Sequence, residues 1–485
     1  MGIVLKQSLK NTLVTYIGFG IGAINTLFLY TRFLTDEYYG LVGVLLSAAA
    51  VLMPLLAFGV PNTMVKFYSS YKETKELDSF LTLMLLLPLA LIIPIAAISF
   101  FSYDIIGDLL SKENPIVEGY VYHIFLIGMA MAYFEVFYAW AKVQMKSVFG
   151  NFMKEVFIRV CIMVLLFLVY FNTISVETFL KALVVVYMVR TILMKLYAHY
   201  LRKTKINFNF PNNTKQIISY STLIILGGSA AVILLEVDKV MINQYIKIEN
   251  VAYYSVAIFI ATVIAVPSRA MHQITYPLTG ELMNRKNIKE LKVLYQKSSL
   301  TLFMIAGPIY LLIILNLNDL YDLLPEDYSN GFIVVFLIGL AKIYDALLGN
   351  NNAILYNSEY YKTVMLMGVF LAICTILFNM WLIPNYGLIG AAYATFLALS
   401  IYNTIKIFFV KIKFNMQPFT IEITKVLLLL LILGGTFYFL QLPFHPILNI
   451  VVKSVSLMIL YISIIYKFKI SEDVYGILSK YIKRS

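Results

Sequence analysis

The chain has 485 residues, of which 61% are hydrophobic and 13% are charged, and its mean hydropathy is +0.83. A soluble domain usually carries about a quarter charged residues, so this composition excludes a soluble globule and indicates an integral membrane protein. The net charge of +12 does not indicate a nucleic-acid partner, because the basic residues lie in short loops between long apolar runs.

The apolar runs recur from one end of the sequence to the other, and each is long enough to cross about 30 Å of hydrocarbon as a helix. They predict an all-α integral membrane fold with about fourteen transmembrane helices. In chain order the predicted spans are 9–34, 38–60, 79–103, 117–145, 148–171, 176–201, 217–247, 251–276, 298–318, 331–357, 361–383, 387–411, 420–441 and 445–468.

The loops between these spans alternate in charge. Basic residues gather at 66–75, 202–215 and 285–297, whereas acidic residues gather at 104–118 and 319–327. Because Lys and Arg concentrate on the cytoplasmic side of a membrane, the basic loops are predicted to be cytoplasmic. An even number of spans then predicts that both termini are cytoplasmic as well.

The basic segment 281–297 carries Ile288, Leu291 and Tyr295 on one side of a helix, with lysines around them. This pattern predicts an amphipathic helix that lies on the anionic cytoplasmic leaflet.

The sequence also contains signs of an internal repeat. A shift of 214 residues superposes Lys75-Glu76-Leu77 on Lys289-Glu290-Leu291, and the order of predicted helices agrees throughout. Duplicated modules are common in transporters and often hold the substrate site at their interface. We therefore predict two six-helix lobes in parallel orientation. The predicted parts are an N-lobe at 1–205, a cytoplasmic linker at 206–216, a C-lobe at 217–413, two further helices within 414–468 and a cytoplasmic tail at 469–485.

Three stretches resemble a known family. They are "RFLTDEYYGLVGVLLSAAAVLMPLLAFGVPNTMVKF" at 32–67, "DKVMINQYIKIENVAYYSVAIFI" at 238–260 and "NMWLIPNYGLIGAAYATFLA" at 379–398. They are similar to the polysaccharide transporter, or oligosaccharide flippase, family of the multidrug/oligosaccharidyl-lipid/polysaccharide exporter superfamily.

The resemblance implies a V-shaped pair of lobes around a central cavity. It implies alternating access that moves a polyprenyl-pyrophosphate-linked oligosaccharide across the bacterial inner membrane. Membrane lipids are then implied partners, and a polysaccharide polymerase and assembly proteins are candidate partners. An ion-coupled multidrug or cation extruder and a lipid II flippase are the alternatives within the superfamily.

The third stretch also has a physical interpretation. Pro384, Asn385 and Gly387 predict a tight turn between two spans, because proline ends a helix and glycine permits a backbone that larger residues resist. Gly390 and the alanines after it predict a small-residue face that lets helices approach closely.

Ionisable residues at membrane depth usually face a bundle interior or a wet cavity, and they mark substrate or ion paths. Three pairs have a spacing that lets them join along one helix face, so intrahelical pairing and a functional role both stay open. These pairs are Glu155 with Arg159, Glu236 with Lys239, and Lys342 with Asp345.

Arg190 and Arg269 have no carboxylate three or four residues away. A guanidinium offers a planar fork that suits phosphate oxygens. We therefore predict that these two arginines bind the pyrophosphate, with Arg159 and Lys239 as further candidates. The alternative for the two arginines is structural pairing with Glu135, Asp238 or Asp345.

The remaining charged residues are candidates for gating or ion coupling. Asp238 lies about 100° around its helix from Lys239, so it points elsewhere and could bind a coupling proton or sodium ion. A salt bridge that locks this helix is the alternative. Arg32 could close an outer gate or simply extend to the interface. The full set of gating or coupling candidates is Asp238, Glu236, Glu135, Asp345 and Arg32.

Features of an enzyme are weak. The four histidines are scattered, and no HExxH, GxSxG or phosphate-loop pattern appears in the sequence. The acidic run Glu236-Val237-Asp238 lies within a predicted span instead of an outer loop, where metal-dependent glycosyltransferases carry such a motif. We therefore predict that the chain is not an enzyme and that it uses no metal and no cofactor.

Overall fold

The computed structural model describes residues 2–440, 442–471 and 475–476. Every regular element within these residues is a helix, which confirms the predicted all-α membrane fold. Ten helices of this described part are long and apolar enough to cross a membrane, or eleven if a bent pair counts as one span. The predicted tail at 469–485 falls largely outside the described residues.

The helices, numbered in chain order, are α1 (Gly2–Ile24), α2 (Tyr30–Phe33), α3 (Asp36–Leu56), α4 (Val60–Tyr71), α5 (Leu77–Leu86), α6 (Leu89–Phe101), α7 (Tyr103–Ser111), α8 (Val121–Val143), α9 (Val148–Phe152), α10 (Ile158–Tyr170), α11 (Val176–Leu201), α12 (Thr214–Tyr245), α13 (Glu249–Thr262), α14 (Val266–Asn284), α15 (Ile288–Leu315), α16 (Leu317–Tyr321), α17 (Phe332–Leu347), α18 (Asn351–Tyr356), α19 (Tyr361–Phe414), α20 (Ile421–Tyr438) and α21 (Pro446–Phe468).

These helices lie where the spans were predicted, but three features change how they are counted. Helix α12 is bent by 54° between its two halves. Helix α19 joins the predicted spans 361–383 and 387–411 across a kink. The predicted span 148–171 is formed by α9, a π-helical segment and α10, and the span 176–201 by α11. Neither span is among the ten apolar helices of the described part. The count of about fourteen spans therefore stays a prediction.

The chain divides into two compact units. Unit 1 contains residues 1–255 and 368–391, and unit 2 contains residues 256–367 and 392–485. The predicted lobes and the linker at 206–216 stay predictions.

Helix α8 lies at the centre of unit 1, where it packs against α3, α4 and α11. Its buried face carries Phe134, Trp140 and several small residues, all largely shielded from solvent. Large aromatic side chains beside small ones let neighbouring helices pack closely in a membrane. The same helix also carries Glu135, so the core of unit 1 places a carboxylate at membrane depth.

A glycine makes the turn between α3 and α4. Gly59 has φ +64°, and a Cβ on it would lie 2.4 Å from the carbonyl oxygen of Ser221. Only glycine adopts this left-handed conformation without strain and also permits so close an approach. The hydroxyl groups of Thr63 and Ser221 lie 2.7 Å apart beside it, so the start of α12 is held against the start of α4.

Two π-helical segments interrupt the first and fifth predicted spans, at Asn25–Leu29 and Met153–Phe157. The buried amide of Asn25 donates a hydrogen bond to the backbone carbonyl of Arg159 at 2.8 Å. Such single-turn π segments are frequent at functional sites. The segment Met153–Phe157 contains Glu155, and Arg159 follows it in α10, so both residues lie against the first span.

In unit 2, α15 packs against α14, α17, α20 and α21. The expectation that segment 281–297 lies on the lipid surface is wrong in one respect. Leu291 and Tyr295 are fully buried in a protein core with Ile354 and Leu355. This part of the apolar face is therefore covered by α18 and α19 instead of lipid, whereas Ile288 stays 45% exposed.

The predicted turn at Pro384–Gly387 is confirmed as a kink in α19. Gly387 has φ +57° and ψ −136°, which departs from the helical conformation. Beyond it, a Cβ on Gly390 would lie 2.1 Å from the carbonyl oxygen of Leu382. The two arms of the kink therefore approach each other backbone to backbone, as the predicted small-residue face requires.

Candidate functional site

Unit 1 holds a cluster of ionisable side chains around Glu135 on α8. The Nζ of Lys154 lies 2.5 Å from Glu135 Oε1, and the two side chains are 46% and 16% exposed. Lys142 and Arg190 also interact electrostatically with Glu135. We call Glu135, Lys142, Lys154 and Arg190 the basic cluster. One carboxylate among three cationic groups leaves the cluster with an excess of positive charge.

Arg190 on α11 is the most buried cation of this cluster, with 6% of its surface exposed. Its guanidinium carbon lies 4.1 Å from the ring centroid of Phe134 and 4.7 Å from that of Tyr187. Its Nε is buried and forms no hydrogen bond within the described residues. Aromatic faces stabilise a guanidinium by cation–π attraction but leave its hydrogen-bond donors unused. Arg190 is therefore a partly satisfied cation inside unit 1.

The pairing of Glu135 was left open by the sequence. Arg190 was one expected partner, and the structure instead gives the direct ion pair to Lys154. Lys154 lies on the π-helical segment Met153–Phe157, far from Glu135 in sequence, so helical spacing could not reveal it. The Nζ of Lys142 lies 3.8 Å from the ring centroid of Tyr138.

The predicted intrahelical pair of Glu155 and Arg159 is confirmed. Arg159 Nη1 lies 2.7 Å from Glu155 Oε2, and the side chains are 30% and 20% exposed. A guanidinium with several donors keeps part of its hydrogen-bonding capacity in such a pair. Arg159 is thus engaged but still partly accessible.

The predicted pair of Glu236 and Lys239 on α12 is also confirmed. Lys239 Nζ lies 3.2 Å from Glu236 Oε2. Ser47 Oγ on α3 donates to the same carboxylate oxygen at 2.7 Å. The carboxylate therefore joins two helices as well as two turns of one helix, and Lys239 is held away from other anions in this conformation.

Asp238 lies on another face of α12, as its spacing predicted. It is 3% exposed and accepts a hydrogen bond from the hydroxyl of Tyr254. Asn379 Nδ2 donates to its other oxygen at 2.7 Å. Both oxygens of this buried carboxyl group are therefore bound by side chains from two other helices.

The remaining predicted residues are less enclosed. Arg269 is exposed on α14, Asp345 is half-buried on α17, and Arg32 is exposed at the end of α2. Asp345 interacts electrostatically with His272 and with a lysine of α19. The roles predicted for these three residues stay predictions.

That lysine, Lys406, was missed by the sequence analysis. It is 1% exposed, and its Nζ donates to Asn352 Oδ1 at 3.1 Å. The same Nζ lies 4.4 Å from the ring centroid of Tyr402, four residues earlier on α19. A lysine within an otherwise apolar span was the available signal, but its closeness to the basic loop at 411–413 hid it.

No group of three or more His, Cys, Asp or Glu side chains within the described part of the chain could hold a metal ion. The arrangement in unit 1 is instead suited to an anion, because the basic cluster contains one carboxylate and three cationic groups, of which Lys154 forms the direct ion pair. Hydrogen bonds from guanidinium and ammonium groups to phosphate oxygens are short and strong, because both partners are charged.

Comparison with protein families identifies the family of this chain. The family model described as "Polysaccharide biosynthesis protein" matches residues 4–283. Curated protein sequences give no significant match.

Solved structures give several matches. The chain is similar to the lipid II flippase MurJ in an inward closed conformation, with a TM-score of 0.75 and 14% identity over 95% of this chain and 99% of that chain. It is similar to an inward-facing multidrug resistance MATE family transporter of the MOP superfamily, with a TM-score of 0.65 and 13% identity over 85% and 98% of the two chains.

A third similar structure is a MOP superfamily transporter from Pyrococcus furiosus, with a TM-score of 0.57 and 11% identity over 85% and 95% of the two chains. Sequence identities this low show a shared fold, and function must be argued from the site.

Proposed function

Because the chain belongs to the polysaccharide biosynthesis protein family, we propose that it is a flippase for polyprenyl-pyrophosphate-linked oligosaccharides. The fold of a flippase-type transporter is shared with MurJ and the MATE transporters. The proposed substrate is a repeat unit of a bacterial surface polysaccharide. It moves from the cytoplasmic to the outer leaflet of the inner membrane by alternating access, and both termini stay in the cytoplasm.

The observation that carries this proposal is the buried guanidinium of Arg190. A charge at membrane depth is costly, and its usual reason is a substrate or ion pathway. Arg190 forms no ion pair within the described residues and keeps its buried Nε without a partner. A pyrophosphate group would supply the oxygens that Phe134 and Tyr187 cannot, and it would be attracted by the excess positive charge of the basic cluster.

The other predicted residues take proposed roles that follow from their surroundings. Arg269 is exposed, so it is available for a first contact with the pyrophosphate. Arg159 and Lys239 already pair with carboxylates, so they would bind substrate only by exchanging partners. Such an exchange would make Glu236 and Glu155 parts of a gate.

Asp238 is the proposed site for a coupling proton or sodium ion, and a purely structural lock is its alternative. Glu135, Asp345 and Arg32 remain proposed gating residues. No ATP-binding motif occurs in the sequence, so transport would draw on an ion gradient, the membrane potential or the substrate gradient. The proposed role is that of a transporter and not of an enzyme. A polysaccharide polymerase and assembly proteins are the proposed partners.

The rival function within the fold is extrusion of organic cations. A site for cations requires excess negative charge, whereas the basic cluster has three cationic groups and one carboxylate. This charge balance favours an anionic substrate. Lipid II also carries a polyprenyl pyrophosphate, so the sugars must separate these two flippase functions.

The first experiment compares lipid binding by native mass spectrometry. Purified wild type is incubated with undecaprenyl-pyrophosphate-linked trisaccharide, with lipid II or with ethidium as an organic cation. Arg190→Ala should bind the first lipid about tenfold more weakly or worse. The matched control is Arg202→Ala, which removes an exposed cation just after the end of α11 and should bind as the wild type does.

Equal binding by wild type and Arg190→Ala, with equal thermal stability, would make Arg190 structural. Binding of ethidium without either lipid would contradict a flippase and support an extruder. Exclusive binding of lipid II would replace the proposed substrate while keeping the reaction.

A further inference from the structure

Lys406 is a buried cation in unit 2 with few partners of its own. It is 1% exposed, and its three donors make one hydrogen bond within the described residues, to Asn352 at 3.1 Å. The ring of Tyr402 covers another side of the ammonium group. Burial of an ammonium group is expensive unless further groups compensate it. A second partner is therefore expected in the working cycle of the protein.

The nearby carboxylate is not in direct contact with this ammonium group. Asp345 interacts electrostatically with Lys406 and with His272, but the described residues contain no ion pair between Asp345 and Lys406. A hydroxyl group can donate to a carboxylate and accept from an ammonium group at the same time. A sugar hydroxyl group therefore has the chemistry to satisfy both charged groups.

Further polar atoms of α14 and α19 in unit 2 are buried without hydrogen bonds in the described structure. Asn403 is fully buried, and neither its Oδ1 nor its Nδ2 has a partner there. Thr275 Oγ1 and His272 Nδ1 on α14 are unpaired in the same way. Buried polar atoms nearly always have a partner, so a concentration of exceptions needs an explanation. A polar ligand that enters in another conformation is such an explanation.

Tyrosine rings lie at the accessible side of this region. Tyr276 and Tyr402 are half-buried, and Tyr356 is 49% exposed. The ring centroid of Tyr402 lies 4.4 Å from Lys406 Nζ, and the Tyr276 ring makes an edge contact with His272, with 5.5 Å between the ring centroids. Tyrosine combines an apolar ring face with a polar hydroxyl group. A pyranose ring presents the matching surfaces, an apolar face of C–H groups and a rim of hydroxyl groups.

We propose that Lys406, Asp345, Asn352, Asn403, Tyr276 and Tyr402 form a sugar-binding site in unit 2. The rings pack on a pyranose face, and the carboxylate, the ammonium group and the amides bind its hydroxyl groups. This inference rests on the proposed function and adds recognition of the glycan to that of the pyrophosphate. Arg190 recognises the pyrophosphate, whereas the Lys406 site recognises the glycan.

The test compares two probes that differ only in the sugar. One is undecaprenyl pyrophosphate, and the other is the same lipid carrying a trisaccharide that begins with N-acetylglucosamine. Native mass spectrometry gives the Kd of each probe for full-length wild type. The Kd of undecaprenyl pyrophosphate divided by the Kd of the trisaccharide lipid measures how much the glycan adds to binding. Lys406→Met and Asp345→Asn should each lower this ratio by about fivefold, the effect of one lost hydrogen bond.

Arg190→Ala should weaken both probes equally and leave the ratio unchanged. The matched control on α19 is Lys411→Met, because Lys411 is exposed, and this variant should bind as the wild type does. Asp345→Asn keeps the shape of a half-buried side chain, so it remains informative if Lys406→Met unfolds.

An unchanged ratio in Asp345→Asn, or equal losses for both probes, would overturn the sugar site but leave the flippase proposal intact. Equal binding of both probes by wild type would overturn it as well. Failure of the wild type to bind either probe would contradict the proposed function itself.

Discussion

Lys453 on the last helix, α21, forms a nearly buried ion pair with Asp319 on α16. The Nζ and Oδ2 atoms are 2.6 Å apart, and each side chain is 11% exposed. Asn449, one turn earlier on α21, donates to the other carboxylate oxygen at 2.9 Å. The two oxygens of the Asp319 carboxylate thus bind two residues of the same helix, which fixes α21 against α16.

Removal of one partner from this pair should destabilise the protein strongly. Lys453→Met leaves Asp319 as a buried carboxylate without its cation, a change that costs about 3–5 kcal/mol in comparable buried pairs. The expected result is a clear fall in the melting temperature of the detergent-purified protein. Lys425→Met is the matched control on α20, where the lysine is exposed, and it should leave the melting temperature nearly unchanged.

The double variant Asp319→Asn/Lys453→Met should recover much of the lost stability, because no unpaired charge remains. A double variant as unstable as Lys453→Met would show that packing of the lysine stem, and not the ion pair, holds α21.

The kink in α19 gives a prediction for its glycines. Gly390→Ala places a Cβ 2.1 Å from the carbonyl oxygen of Leu382, so the two arms of the kink must move apart. Overpacking of this kind typically costs about 1–3 kcal/mol, and a lower melting temperature should report it. The matched control is Gly435→Ala in α20, where no atom lies within 4 Å of the added Cβ.

Gly435→Ala should instead be neutral or slightly stabilising, because alanine favours helices more than glycine does. Equal melting temperatures for Gly390→Ala and wild type would mean that the arms of the kink adjust freely.

The sequence predicted features that depend on neighbours along the chain. Glu155 and Arg159 share one helix face, as do Glu236 and Lys239, and both pairs form as expected. Gly387 was predicted to permit a turn and does adopt a left-handed φ. Helical periodicity and backbone sterics are local, so they can be read from a short window of residues.

Contacts between distant residues could not be predicted in this way. Glu135 pairs with Lys154 instead of Arg190, and the apolar face at Leu291 packs on protein instead of lipid. Lys406 was not predicted as a site residue, because its hydrogen-bond partner, Asn352, lies on another helix. A single sequence gives no measure of distances between residues on different helices. It therefore predicts which charged residues lie within the spans, but not which residues they contact.

Glu135 should limit how strongly the basic cluster attracts anions. Glu135→Gln removes the carboxylate of the basic cluster, so the cluster gains net positive charge. An electrostatic change on the order of 1–2 kcal/mol corresponds to roughly tenfold tighter binding of undecaprenyl pyrophosphate. Native mass spectrometry at low and high salt should show the gain, and it should shrink as salt increases.

The matched control for this prediction is Glu118→Gln, which removes a carboxylate from the loop before α8. Its pyrophosphate affinity should equal that of wild type. Weaker binding by Glu135→Gln would instead assign Glu135 the task of positioning Lys154 for the substrate.

Asp238 depends on two donors from different helices, and their removal should be measurable. Tyr254→Phe deletes the hydroxyl that donates to the buried carboxylate, and Asn379→Leu deletes the amide that donates to its other oxygen. Each change should cost about 1–2 kcal/mol, near the upper end for hydrogen bonds between membrane helices, because the acceptor carries charge.

Tyr253→Phe provides the comparison, since Tyr253 donates to the half-buried carboxylate of Asp36 at 3.1 Å and should cost less. If Asp238 binds a coupling ion, Asn379→Leu should also change the proton or sodium dependence of lipid transport in proteoliposomes, because the ion would lose an adjacent oxygen. If Asp238 only locks α12, melting temperature should fall while the ion dependence stays the same. A transport assay with both variants at several sodium concentrations and pH values therefore separates the two roles left open for Asp238.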